Sequence, residues 1–407
     1  MITSQASRRI PNTWHAQAEK LWVAGDHQAA LTLLLTDLNS HGQNKPTPRV
    51  LQLVYYFFER GDWAAAAGCL SLQHVTDPAS DEVLLNLAAC LSRAGRTAES
   101  VDRARDYVAR HANEPMAWDV LCSGLQALGK PEEAAEAGTR SLMIKDRVSL
   151  AAHKSMAAGQ RKGPGARAPL RRALNGTQPQ QNVIAFSLWG DKARYLRGAL
   201  DNLLAAPGLY PGWQVRIYLD GSVPHSWQAL LVELGADLRH QPAGQPLRQR
   251  LCWRFQVAND RAVHRFLVRD IDSVLNAREC AAVTAWLASD RRFHVMRDWW
   301  THTDLMLAGM WGGTAGVLPD LTALVATYKS RVLDTPNVDQ WFLRDRVWPL
   351  LHDDCLVHDR CFTPPGAQPW PEAPPADDQH VGQDEHAARR SAQEARLQPW
   401  LSRLQAS

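Results

Sequence analysis

Two carboxylates one residue apart close an apolar run in Phe266-Leu267-Val268-Arg269-Asp270-Ile271-Asp272-Ser273, the chain's single Asp-x-Asp pattern. About one such pattern arises by chance in a chain of this length, so its position carries the meaning. The residues before it, Arg265–Arg269, read as a buried strand. Open α/β sheets take their ligands outside the carboxyl ends of their strands. Alternate residues leaving a strand project to the same side, so Asp270 and Asp272 can address one cation. A divalent ion there would neutralise a diphosphate and stabilise its departure as a leaving group. Two solvated turn aspartates are the bland alternative.

Elements able to hold that turn begin near residue 182. Asn182–Ser187 reads as a buried strand, 192–205 as an amphipathic helix, Gln214–Asp220 as a second strand and 225–234 as a second helix. The strand Arg265–Arg269, a helix over 277–288 and a fourth strand, Arg292–Met296, follow. This alternation predicts an α/β sheet domain with a Rossmann-like first half. No G-x-G-x-x-G follows the first strand and no G-x-x-x-x-G-K-[ST] occurs, so dehydrogenase and P-loop chemistry lose most of their support.

The first half of the chain repeats itself. Gly25, Gly61, Gly95 and Gly129 stand 36, 34 and 34 residues apart, each between an apolar helical segment and one rich in small residues. Helix, glycine turn, helix at a period near 34 is the tetratricopeptide signature. Ala30, Ala66 and Ala134, five residues after their glycines, let paired helices approach, while Leu87, Leu91, Leu121 and Leu125 mark the core stripe. The organisation reads as a tail over 1–12, about four repeats with a capping helix over 13–158 and a linker over 159–181. An α/β domain over 182–362 and a Pro-rich, charged extension over 363–407 complete it.

With 407 residues and 45% hydrophobic composition, there is apolar material for two cores. A net charge of +3 gives no reason to expect nucleic acid or an anionic membrane as partner. Seven scattered cysteines with no C-x-x-C pair read as free thiols of a reducing compartment, not a zinc site. The N-terminus lacks a signal peptide's apolar stretch, and the best spanning candidate, Leu305–Ala326, is broken by Gly, Pro and Asp. The expectation is a cytoplasmic protein without a membrane span. Most of the 16 tryptophans lie in the second half, where flat rings serve as core or as stacking surface for sugars and bases.

Ten segments occur in order across the second half: Ser187-Leu-Trp-Gly, Tyr195-x-x-Gly-Ala, Tyr210-Pro-Gly-Trp, Arg216-x-Tyr-x-Asp220, Trp253-Arg-Phe, Arg269-Asp-x-Asp-Ser, Met296-Arg-Asp, Gly309-Met-Trp-Gly, Asp339-Gln-x-Phe-Leu and Val357-His-Asp. Through them residues 182–383 resemble a group of bacterial GT-A-type glycosyltransferase-like proteins, some of which carry tetratricopeptide repeats. The chain departs from that group at Trp299-Trp300, where His-Pro is expected, and at Asn259, where an acidic residue is common.

The resemblance implies a GT-A fold and transfer of a sugar from a nucleotide-diphosphate sugar, UDP- or GDP-linked, to an acceptor. Asp270 and Asp272 would hold Mn2+ or Mg2+, with His358 as third ligand. Ser187 to Gly190 would cradle the base, with Trp189 stacked on it or packed in the core. Asp220 would accept hydrogen bonds from base or ribose, unless it only opens its turn. Arg269 and Arg297 would contact the diphosphate, structural ion pairs being the alternative. Asp298 and Asp339 would lie near the sugar or acceptor hydroxyl as the catalytic acids or bases. Gly309 to Gly313 would offer close backbone approach and a flat ring to a sugar. The repeat groove would recruit a protein or glycan acceptor. The competing function is a catalytically inactive tetratricopeptide adaptor that binds a nucleotide or protein partner.

Overall fold

A computed structural model describes residues 13–160, 181–329, 337–375 and 379–406. They divide into two compact units, with the boundary between Ile144 and Lys145. The tail over 1–12 and nearly all of the linker expected over 159–181 lie outside the described residues.

The first unit is helical. Ala16–Val23 pairs with His27–Ser40, Thr47–Glu59 with Trp63–Thr76, and Asp81–Arg93 with Thr97–Arg110. Pro115–Ala127 and the first half of Pro131–Gln160 supply the fourth helix–turn–helix. All four turns use one hydrogen-bond pattern. The N–H after the glycine reaches back five residues, Asp26 to Leu21, Asp62 to Phe57, Arg96 to Leu91 and Lys130 to Leu125, at 2.9–3.0 Å. That closure needs φ above zero, and the four glycines have φ between 71° and 88°. Asp26 and Asp62 then cap the following helices by accepting from the N–H groups of Ala29 and Ala65. Ala30, Ala66 and Ala134 are fully buried. The third repeat has Ser100 at that position, equally buried, and its hydroxyl donates to the Ala88 carbonyl at 2.7 Å. Close helix approach survives the polar atom because the atom is satisfied.

The second unit contains an eight-stranded mixed sheet: β1 Gln181–Leu188, β2 Trp213–Leu219, β3 Asp237–His240, β4 Val263–Arg269, β5 Phe293–Arg297, β6 Met310–Thr314, β7 Cys355–Asp359 and β8 Ala367–Gln368. Their order is β3-β2-β1-β4-β6-β5-β7-β8. β3, β2, β1 and β4 run parallel, and β6 is antiparallel to both β4 and β5. β2 and β3 wind to one side of β1 and β4 lies on the other, so the strand order reverses at β1. In such sheets the ligand crevice lies outside the carboxyl ends of the strands at that reversal, here β1 and β4. Ile184, Phe186, Ile217, Leu219 and Leu267 pack from the sheet against the helix Ala193–Leu209 and against Trp286.

Four strands escaped the sequence pattern. β3 is four residues long and half exposed, β7 is only five residues, β8 is two residues inside the Pro-rich stretch, and β6 reads Met310-Trp-Gly-Gly-Thr, with glycine at two of its five positions. The β6 glycines are steric requirements. A Cβ on Gly312 would lie 2.6 Å from the Phe266 carbonyl oxygen, and one on Gly313 would lie 2.5 Å from Phe293 Cδ1.

Both ends of this unit's sequence are tied in. Lys145 Nζ donates to the Thr303 carbonyl at 2.8 Å, and Trp348 Nε1 to Asp146 at 2.6 Å. The helical segment Glu385–Ala406, broken at Arg389, buries Leu397 against Leu200 and Leu230 and pairs Arg396 with Asp201.

Candidate functional site

The Asp-x-Asp turn leaves β4 into the crevice. Ile271 points into the core, and Asp270 and Asp272 flank it on the other side, as strand alternation requires. The turn is held from behind by close backbone contact. A Cβ on Gly198, in the helix Ala193–Leu209, would lie 2.0 Å from the Ile271 carbonyl oxygen, so only glycine permits this packing. One turn later, fully buried Asn202 donates to the carbonyls of Ile271 (3.2 Å) and Ser273 (2.9 Å) and accepts from the N–H of Leu275 (3.0 Å). Glu385 N–H donates to the Asp272 carbonyl at 3.0 Å. On the open side, a Cβ on Gly309 would fall 2.1 Å from Asp270 Oδ2.

Two arginines meet the two carboxylates. Arg194 pairs with Asp272, and at 3.0 Å with Asp384. Arg254, almost fully buried in the 3-10 turn Trp253–Asn259, pairs with Asp270 and donates to Asp339 at 3.0 Å. Burial pushes the Asp339 carboxyl up to about 6, against the opposing pull of Arg254, and Asp270 adds to the rise. Burial also raises Asp272, again reinforced by the neighbouring charge of Asp270. The two carboxylates of the Asp-x-Asp thus feel each other.

The end of β1 forms the opposite lip. Ser187 Oγ accepts from the backbone N–H of Arg254 at 3.0 Å. Half-buried Trp189 lies edge-on to Trp253, with Arg250 over its ring at 5.4 Å. Asp220, at the end of β2, accepts from Ser222 N–H at 3.0 Å, and Ser222 Oγ accepts from Gly190 N–H at 2.7 Å. Asp220 therefore opens its own turn and, through Ser222, steadies the loop after β1.

Other expected site residues lie elsewhere. Arg269 and Arg297 are 2% exposed and sit in buried ion pairs, with Glu279 at 2.8 Å and Asp359 at 2.6 Å. Asp298 is fully buried, paired with Arg278 and accepting from Val381 N–H at 2.8 Å. Trp311, expected to offer a flat ring to a sugar, is instead fully buried against Phe266 and Phe255, because its strand position faces the core. His358 Nδ1 lies 2.8 Å from His294 Nε2 between β7 and β5. Burial lowers His358 to about 4 and holds His294 well below its ordinary value, so both rings are neutral near pH 7.

In donor chemistry Asp270 and Asp272 suit a hard divalent ion: two neighbouring carboxylates, one of them 43% exposed, offering oxygen donors only, each now paired with an arginine. Among the described residues, no three His, Cys, Asp or Glu side chains gather as a metal-holding group, so His358 is not brought to the pair. A cavity of about 710 Å3 lies behind the turn, lined by Ser273 to Arg278, His380, Glu385 and Trp400. Asp270, Asp272 and Asp339 are not on its wall. Its charged groups largely satisfy one another, Arg396 with Asp201 and Glu385, and Arg389 with Glu385. The Asp-x-Asp carboxylates and Asp339 therefore lie apart from this cavity. No sequence reasoning singled out Arg254, Arg194, Gly198 or Asn202 for a role, although Arg254 and Gly198 sit inside two of the recurring segments.

No family model matches the chain, and no curated protein matches it. Among solved structures it is similar to MamA MSR-1 C2, at 17% identity over 32% of this chain and 74% of that one, with a TM-score of 0.29. A second MamA structure matches at 18% identity over 36% and 82%, with a TM-score of 0.29. The first TPR of Spaghetti (RPAP3) bound to an HSP90 peptide matches at 22% identity over 23% and 75%, with a TM-score of 0.23. The chain's own glycine turns and 34-residue spacing define its first unit as a tetratricopeptide-type helical array. No helix among the described residues is long and apolar enough to cross a membrane.

Proposed function

We propose that the α/β unit is a GT-A-type, metal-dependent glycosyltransferase that moves a sugar from a UDP- or GDP-sugar to an acceptor recruited by the helical array. One observation carries the reading. The Asp-x-Asp pair leaves β4 beside the strand-order reversal, and Arg254 links it to the buried carboxylate of Asp339. Asp270 and Asp272 would hold Mn2+ or Mg2+, which supplies charge neutralisation to the departing diphosphate. Trp189 and Ser187 line the lip where a base would lie, and the Ser222–Gly190 contact keeps that lip in place. Asp339 is the candidate group at the sugar. Its carboxyl, raised to about 6, is a stronger base than an ordinary aspartate yet mostly ionised near neutrality. In an inverting transfer it takes the acceptor proton; in a retaining one its charge stabilises the positive sugar ring. The full-length chain incubated with UDP- and GDP-sugars and Mn2+ should release nucleoside diphosphate, and excess chelator should stop it. Release unaffected by chelator would overturn the metal role, and no release from any donor would overturn the transferase.

A second reading is the inactive adaptor. The helical repeats favour it, and so do the arginine partners that both carboxylates already have. Binding of a protein partner with no donor cleavage would establish it.

A further inference from the structure

Arg254 is where three walls of the crevice meet. Its backbone N–H is held by Ser187 at the end of β1, its Nη1 by Asp270 and by the Arg269 carbonyl (3.0 Å) at the end of β4, and its Nη2 by Asp339 of the helix Val338–Phe342. Arg254 is 4% exposed, and its Nε has no hydrogen-bond partner among the described residues. Arg269 and Arg297 reach buried Glu279 and Asp359 through Nε and give Nη1 to backbone carbonyls. Arg254 differs from them in one respect. One of its two carboxylate partners, Asp270, is 43% exposed and belongs to the pair suited to a cation.

We propose that Arg254 is the diphosphate-binding residue of this site: it yields Asp270 to a divalent ion and turns its freed N–H groups to the phosphates of a nucleoside diphosphate, while Nη2 stays on Asp339. The assignment rests on the metal-dependent transferase reading. A cation and a guanidinium compete for the same carboxylate oxygens, so an ion bound to Asp270 leaves a buried positive charge short of one partner. Phosphate oxygens replace that partner in kind, because a guanidinium fork matches their spacing. Metal and diphosphate would then bind in cooperation, with Ser187 and Asp339 fixing where the fork can reach.

The test uses the full-length chain, with Mn2+ binding followed by electron paramagnetic resonance and inorganic pyrophosphate binding followed by calorimetry. Arg254→Met should bind Mn2+ alone at least as tightly as the wild type, since a competitor is gone. With Mn2+ present it should bind pyrophosphate about tenfold or more weakly, the usual weight of a charged hydrogen bond. Arg254→Lys keeps the charge without the fork and should fall between; it decides the matter if the Met variant does not fold. Unchanged pyrophosphate affinity, or parallel loss of Mn2+ and pyrophosphate, overturns the assignment and leaves the transferase standing. A wild-type chain that binds neither probe overturns both.

Discussion

β4 and β5 both end in an arginine followed by an aspartate, and the two dipeptides meet different fates. Arg269 and Arg297 behave alike, each turning inward to a carboxylate at 2.8 and 2.6 Å. The aspartates do not. Asp270 keeps 43% of its side chain exposed beside Gly309, whereas Asp298 keeps none, closed over by Arg278 and the backbone of Val381. A buried ion pair uses up its charge, since desolvation offsets most of the attraction and no exchangeable partner can enter. A half-exposed carboxylate keeps room for one. The end of β4 therefore keeps a reachable carboxylate, while the end of β5 braces the C-terminal segment.

The largest expected effect is on chemistry at β4. On the proposed transferase reading, Asp272→Ala should lower Mn2+-dependent donor cleavage about 100-fold or more, as loss of an electrostatic stabiliser does. It should scarcely change stability, because its partner Arg194 is 40% exposed. Donor-cleavage assays and urea denaturation on the same preparations check both halves. Asp298→Ala should invert the pattern. It leaves Arg278 unpaired inside the protein, so the unfolding free energy should fall by about 3–5 kcal/mol. A D298A chain as stable as the wild type would show that the buried Arg278–Asp298 pair does not brace the end of β5.

Next comes Asp339, whose carboxyl burial raises to about 6, with Arg254 pulling the other way, against about 3.9 in the unfolded chain. The folded chain holds that proton more tightly. The resulting stability is present in full below about pH 4 and is lost as pH rises through about 6. Asp339→Asn removes this dependence, so the difference between wild type and variant should shift by about 2–3 kcal/mol between pH 4 and 7. Denaturation at the two pH values tests it; a parallel pair of curves would contradict the buried position. The smallest effects concern two glycines. Gly198→Ala forces a Cβ onto the Ile271 carbonyl and should cost about 1–3 kcal/mol. Gly68→Ala, in the helix Trp63–Thr76 with nothing within 4 Å, should gain up to about 1 kcal/mol. Thermal melts of the two variants should move in opposite directions.

Much of this was legible in the chain's one-dimensional pattern. The helical array announces itself because its contacts are local: a glycine turn, a helix partner a few residues on, and the same arrangement about 34 residues later. The strands β1, β2, β4 and β5 and the turn after β4 are legible for a similar reason, since apolar runs bounded by turn residues have a period that neighbours alone set. The hydrophobic pattern could not reveal β6, whose glycines are placed by Phe266 and Phe293 on other strands.

Local pattern is enough to specify a repeat array, an α/β sheet after it, and two carboxylates leaving one strand together. Which carboxylates stay reachable depends instead on long-range packing. Asp270 meets Arg254, 16 residues away in sequence, and Arg254 meets Asp339, 85 residues further on. Asn202 holds the turn across 71 residues. Such partnerships leave no periodic trace, because they depend on which distant segments pack side by side and which side chains those segments cover. Asp270 and Asp298 follow the same residue at the same place on a strand, and only the chain that folds over one of them tells the two apart.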